Sequence, residues 1–80
     1  MKYSSMVAYL RSGAHLVEKV RLYTDQRKYF LMVPTCHQWR LVDFVSSRDF
    51  IRVHSLPEFT LISYSYSDDG QYLVNRYALR

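Results

Sequence analysis

Between Phe59 and Arg80, two tyrosine-rich runs of alternating apolar and polar residues flank Asp68-Asp69-Gly70. No other stretch restricts the fold as strongly, because an Asp-Gly step accepts the two left-handed φ values of a type I′ turn, the usual two-residue link between twisted antiparallel strands. A loop at Asp69 and Gly70 predicts Asp68 opposite Gln71, Tyr66 opposite Leu73, Tyr64 opposite Asn75 and Ile62 opposite Tyr77. One side of the ribbon then carries Ile62, Tyr64, Tyr66, Leu73, Asn75 and Tyr77. The other carries Leu61, Ser63, Ser65, Ser67, Tyr72, Val74, Arg76 and Ala78. A four-residue loop from Ser67 to Gly70 shifts the partners but keeps the two faces, since side chains alternate with period two. The serines and Arg76 mark the second side as solvated, so the tyrosine side is expected to be core, with its hydroxyls reaching the sheet margin. On that reading Tyr64→Ala unfolds the protein, whereas replacing Tyr72 or Arg76 leaves it folded.

A second hairpin is predicted upstream, from His15 to Tyr23 and from Lys28 to Pro34, around a turn at Thr24-Asp25-Gln26-Arg27. The run Lys28 to Val33 is too apolar for a one-sided strand and reads as a central strand buried on both faces. Leu16, Val17, Val20 and Tyr23 also fit helical spacing, which Met6, Tyr9 and Leu10 extend backward. A glycine inside a helix costs about 1 kcal/mol relative to alanine, so a break is expected at Gly13, with strand preferred for 15–23 and residues 4–12 left open. Thr35-Cys36-His37-Gln38 has the spacing of a capping box, and Trp39, Leu41, Val42, Phe44 and Val45 supply an apolar face. These predict a helix over about 35–46, with a hairpin turning at Ser46 to Asp49 as the competing reading. Phe50 to His54 reads as a short strand, and Pro57 as part of the turn into the C-terminal hairpin. The fold class is α+β, an antiparallel sheet of about five strands with one helix packed on it; an all-β barrel is the alternative.

Eighty residues read as one small domain, a size that buries only roughly 60% of the unfolded chain's surface. The lone cysteine, Cys36, excludes an intrachain disulfide and points to a reducing compartment, so a cytoplasmic location is expected. The apolar run Met6 to Leu10 ends at Arg11, without the pattern of a signal peptide or the length of a membrane span. The net charge of +4 is unevenly placed. Lys2, Arg11, Lys19, Arg21, Arg27, Lys28 and Arg40 face only Glu18 and Asp25 in the first half, while four basic groups meet five acidic ones in the second. Such a basic half favours a polyanionic or acidic partner.

Chemistry-bearing residues do not form a known pattern. His15, His37 and His54 lack zinc-site spacing, and Cys36 has no cysteine partner. Adjacent helical residues point about 100° apart, so Cys36 and His37 do not face each other as a nucleophile pair; Cys36 is expected to be buried and His37 solvated. Asp68 and Asp69 suit a turn. Glycines only at 13 and 70 exclude phosphate-cradling loops. No catalytic residue, metal or cofactor is expected.

Three functions are weighed. The first is a non-enzymatic protein that docks on a protein or nucleoprotein partner, a regulator or inhibitor of the kind encoded by phages and mobile elements. It uses Lys19, Arg21, Arg27, Lys28, Arg52, Tyr72 and Arg76, since tyrosine and arginine are enriched at interfaces. The second is direct nucleic-acid binding, with bases stacked on tyrosines and phosphates held by Arg or Lys. The third is a metal-independent ribonuclease toxin, which requires His54, Arg52, Arg76 and Tyr72 to meet if a 50–54 strand lies beside the terminal hairpin. A homodimer through the terminal strand, Gln71 to Leu79, is a further possibility if that strand is an open edge.

Overall fold

Seven elements form in the order α1 (Tyr3–Arg11), β1 (His15–Arg21), β2 (Gln26–Pro34), β3 (Trp39–Val45), α2 (Ser47–His54), β4 (Phe59–Tyr66) and β5 (Tyr72–Leu79). The computed structural model describes all 80 residues. Its strands build one antiparallel sheet in the order β3-β2-β1-β5-β4. The sheet is open, with β3 and β4 as its edges, which confirms the α+β class and removes the barrel. No helix is long and apolar enough to cross a membrane.

Both helices cover the same face. Met6 and Leu10 of α1 and Phe50 and Val53 of α2 pack with Leu16, Tyr29, Leu31, Val45 and Phe59 from the strands. Full burial of each such side chain is worth roughly 1.5–3 kcal/mol, so this layer holds the fold together. Phe50 is its centre, stacked on Tyr29 with ring centroids 4.3 Å apart and meeting Phe59 and Tyr77 edge-on. α1 ends at the expected break: Gly13 takes φ 104, while its amide bonds to Leu10 and that of Ala14 bonds to Tyr9, a Schellman closure that needs a left-handed residue. The first hairpin turn, spanning Leu22 to Asp25, falls two residues earlier than expected, with Asp25 at φ 57.

The helix expected over about 35–46 is absent; those residues form a hairpin loop and β3. Half of the capping box exists, since Thr35 Oγ1 accepts the Gln38 amide at 3.2 Å. The same two residues also close backbone to backbone, Thr35 N–H donating to the Gln38 carbonyl at 2.7 Å, so they tie a tight turn instead of starting a helix. The β-branched and aromatic residues that follow fit a pleated surface better than a helix. The helix lies one element later, where a strand was expected over 50–54. Ser46 Oγ accepts the Asp49 amide at 3.1 Å, Asp49 sits in the first turn, and Arg52 and His54 sit in the last. Phe50 and Val53, three apart, are its buried side.

In the C-terminal hairpin Tyr64 lies opposite Asn75 and Tyr66 opposite Leu73, as the sequence predicts. The turn differs: Gly70 has φ 72 but Asp69 does not have a positive φ, and the Gly70 amide closes on the Ser67 carbonyl at 2.9 Å. A bulge between Leu61 and Ser63 puts Leu61, not Ile62, opposite Tyr77. β5 lies between β1 and β4, so the terminal strand is not an open edge. β2 is interior but buried on one side only, because nothing covers the other face of the sheet.

Candidate nucleic-acid interface

Strand alternation assigns the uncovered face. On β1, Leu16, Glu18 and Val20 point toward the helices, leaving His15, Val17, Lys19 and Arg21 on the open side. Cross-strand partners share a face. His15 lies opposite Met32, Val17 opposite Phe30 and Arg76, Lys19 opposite Lys28 and Val74, and Arg21 opposite Gln26 and Tyr72. β3 adds Phe44 beside Phe30 and Leu41 beside Met32, with Trp39 beside Pro34. β4 adds Ser63 and Ser65, across from Arg76 and Val74.

The open face therefore interleaves Lys19, Arg21, Lys28 and Arg76 with Trp39, Phe30, Phe44 and Tyr72. All seven carboxylates lie elsewhere: Glu18 and Asp43 on the helix side, Asp49 on α2, and Asp25, Glu58, Asp68 and Asp69 in turns. None of the four cations takes part in an ion pair. Two of them lie against aromatic rings: Lys19 Nζ is 4.3 Å from the centroid of the Tyr72 ring, and the Arg76 guanidinium 5.1 Å from that of Trp39. Trp39 stacks on His15 with centroids 4.2 Å apart, and Arg76 Nη1 lies 3.2 Å from His15 Nδ1. Burial first, then the charges of Arg76 and Arg80, hold the His15 imidazole below its ordinary pKa, so its neutral form receives the arginine's hydrogen bond. Lys19, Arg21, Gln26, Lys28, Phe30, Phe44 and Tyr72 line a shallow cavity of about 200 Å³. Phe44, 62% exposed, forms an apolar wall held open to water.

Five of the seven residues expected to bind a partner are gathered on this face: Lys19, Arg21, Lys28, Tyr72 and Arg76. Arg27 is turned to the other side, bonded to Glu18 at 3.2 Å and Asp25 at 2.9 Å. Arg52 is on α2, its guanidinium 3.9 Å from the centroid of the Tyr3 ring. The ribonuclease constellation is not assembled, because Arg52 and His54 lie on the helix side while Tyr72 and Arg76 point through the opposite face. The three histidines fall on β1, in the β2–β3 loop and on α2. Cys36 is exposed in that loop rather than buried, since the loop replaces the expected helix.

Sequence reasoning missed Trp39, Phe30 and Phe44, all absorbed into an expected core. The run Lys28-Tyr29-Phe30-Leu31-Met32 places large residues on both sides of its strand, so it carries no signal for which side the helices leave open. The tyrosine side of the last hairpin is core only in part. Tyr77 packs into the helix layer, whereas Tyr64 and Tyr66 are 66% and 61% exposed beyond the reach of both helices. On the covered face, buried Glu18 accepts hydrogen bonds from Asn75 at 2.9 Å, Arg27 at 3.2 Å and Tyr77 at 3.3 Å. Burial, the nearby Glu18 charge and that hydrogen bond push the Tyr77 phenol up to about 12.

No protein-family model matches the chain, and neither a curated protein nor a solved structure does.

Proposed function

We propose that the protein is a non-enzymatic binding protein whose ligand is single-stranded nucleic acid, laid across the open face of the sheet. The observation that carries this reading is the coincidence, on one uncovered face, of four unpaired cations and four aromatic side chains without a carboxylate. Phosphates supply the missing negative charge, and unstacked bases have planar apolar faces that fit Trp39, Phe44, Phe30 and Tyr72, each stack being worth roughly 1–3 kcal/mol. Duplex ligands suit the face less well, since their bases are already stacked and no helix or β-ribbon projects from it to enter a groove. An acidic protein surface also meets the charge, but it does not offer the four rings a succession of flat apolar faces as unstacked bases do. The basic N-terminal half contributes Lys28 from β2 and Lys19 and Arg21 from β1 to this face, and β5 adds Arg76 from the other half.

Fluorescence polarisation with labelled single-stranded and duplex oligonucleotides tests the reading. Single strands should bind more tightly than duplex of the same sequence, and Phe44→Ala should weaken single-strand binding by about tenfold while leaving thermal unfolding unchanged. Equal binding of the duplex, insensitive to Phe44, would show that only charge is recognised and defeat the proposal.

A further inference from the structure

We infer that β4 pairs with β4 of a second copy about a two-fold axis at Ser65, joining two sheets into one of twice the width. The Ser67 amide donates to the Tyr72 carbonyl at 2.9 Å, which makes Ser67 and Tyr72 a hydrogen-bonded pair in the β4–β5 register. Antiparallel pairs alternate, so Ser65–Val74 and Ser63–Arg76 are also hydrogen-bonded pairs, while Tyr64 and Tyr66 turn their N–H and C=O groups away from β5. No strand lies beyond β4 to receive them.

These outward groups match a copy of themselves. With the axis at Ser65, Tyr64 of each chain meets Tyr66 of the other, and each such pair exchanges two backbone hydrogen bonds. The two serines face each other at the axis as a close pair, where a small side chain lets the backbones approach. Cross-strand aromatic pairs stabilise antiparallel ladders, and the exposed tyrosines, whose rings already lie 6.5 Å apart within one chain, would form a four-ring cluster.

Charge argues for a second copy too. Edge strands are ordinarily protected by charged side chains, and the other edge, β3, carries Arg40 and Asp43. β4 reads FTLISYSY, without a charged residue over its whole length. Its bulge lies at Leu61–Ser63 and spares the segment Ser63–Tyr66 that the axis uses. The inference is independent of what the open face binds.

Site-specific cross-linking and sedimentation test it. In a non-hydrogen-bonded antiparallel pair the Cα atoms lie about 4.5 Å apart, within disulfide reach, so Ser65→Cys in a Cys36→Ser background should cross-link under mild oxidation. Ser63→Cys in the same background, displaced from the axis, should not. Wild-type protein should form dimers as concentration rises, and Tyr64→Lys with Tyr66→Lys should sediment as a monomer with an unchanged circular-dichroism spectrum. Wild-type protein that stays monomeric throughout, cross-linking of Ser63→Cys as readily as Ser65→Cys, or a dimer indifferent to the two lysines would overturn the inference.

Discussion

The open face fixes how steeply binding must respond to salt. Four cations, Lys19, Arg21, Lys28 and Arg76, lie on it without carboxylate partners, so each is free to displace a condensed counterion from a strand. With about 0.7 counterion released per neutralised phosphate of a single strand, log K should fall against log salt with a slope of about −2.8. Between 50 and 200 mM salt that slope amounts to a loss of about 50-fold in affinity. Lys28→Ala removes one contact without disturbing an ion pair, and should lower the slope to about −2.1 while weakening binding to all sequences alike. Arg27→Ala is the control, because that guanidinium is held on the other face by Glu18 and Asp25. Polarisation titrations of one oligonucleotide at five salt concentrations give all three slopes. A slope near zero, or an Arg27→Ala slope reduced as much as that of Lys28→Ala, would refute the placement of the phosphates on this face.

Three further outcomes concern the covered face and the hairpin. Glu18→Ala leaves the Asn75 amide and the Tyr77 hydroxyl without their acceptor at a site 3% exposed; at about 1–3 kcal/mol for each orphaned group, less what water restores to half-exposed Arg27, the loss should be about 3 kcal/mol in urea unfolding. Glu18→Gln, which keeps one acceptor oxygen, should lose about half as much. Because the Tyr77 phenol is raised to about 12 in the folded protein against about 10 when unfolded, its contribution to stability is complete below pH 10 and disappears as pH rises toward 12. The phenolate absorbance of Tyr77, read as the difference between wild type and Tyr77→Phe, should be missing at about pH 11 while the protein stays folded. At concentrations low enough to keep the protein monomeric, Tyr64→Ala should change stability by no more than about 0.5 kcal/mol, since its side chain stands clear of both helices.

The hairpins were legible because period-two alternation and turn residues act locally: Tyr64 opposite Asn75 and Tyr66 opposite Leu73 follow from side-chain count alone. The helix was misplaced because two cap signals compete, Thr35 with Gln38 and Ser46 with Asp49. Only the second is followed by apolar residues, Phe50 and Val53, that find a facing layer to bury against. Trp39 and Phe44 were unreadable as surface residues for a related reason. Which side of a strand is covered depends on where the helices pack, and no residue of β2 or β3 records that. Lys19, Arg21, Lys28, Tyr72 and Arg76 were found from charge and alternation, although their meeting on one face required the order β2-β1-β5, which brings the last strand between the first and the fourth. The bulge at Ile62 left no mark in the alternation of the hairpin.

Trp39 is the chain's only tryptophan and stands on the open face, against the hydrogen-bonded pair of His15 and the Arg76 guanidinium. Its fluorescence therefore reports directly on what is laid there. Titration with a single-stranded homopolymer should quench the emission to saturation along the same curve as polarisation-detected binding, with both signals disappearing together at high salt. Binding that leaves Trp39 emission unchanged, or an absence of binding at low salt, would contradict the account.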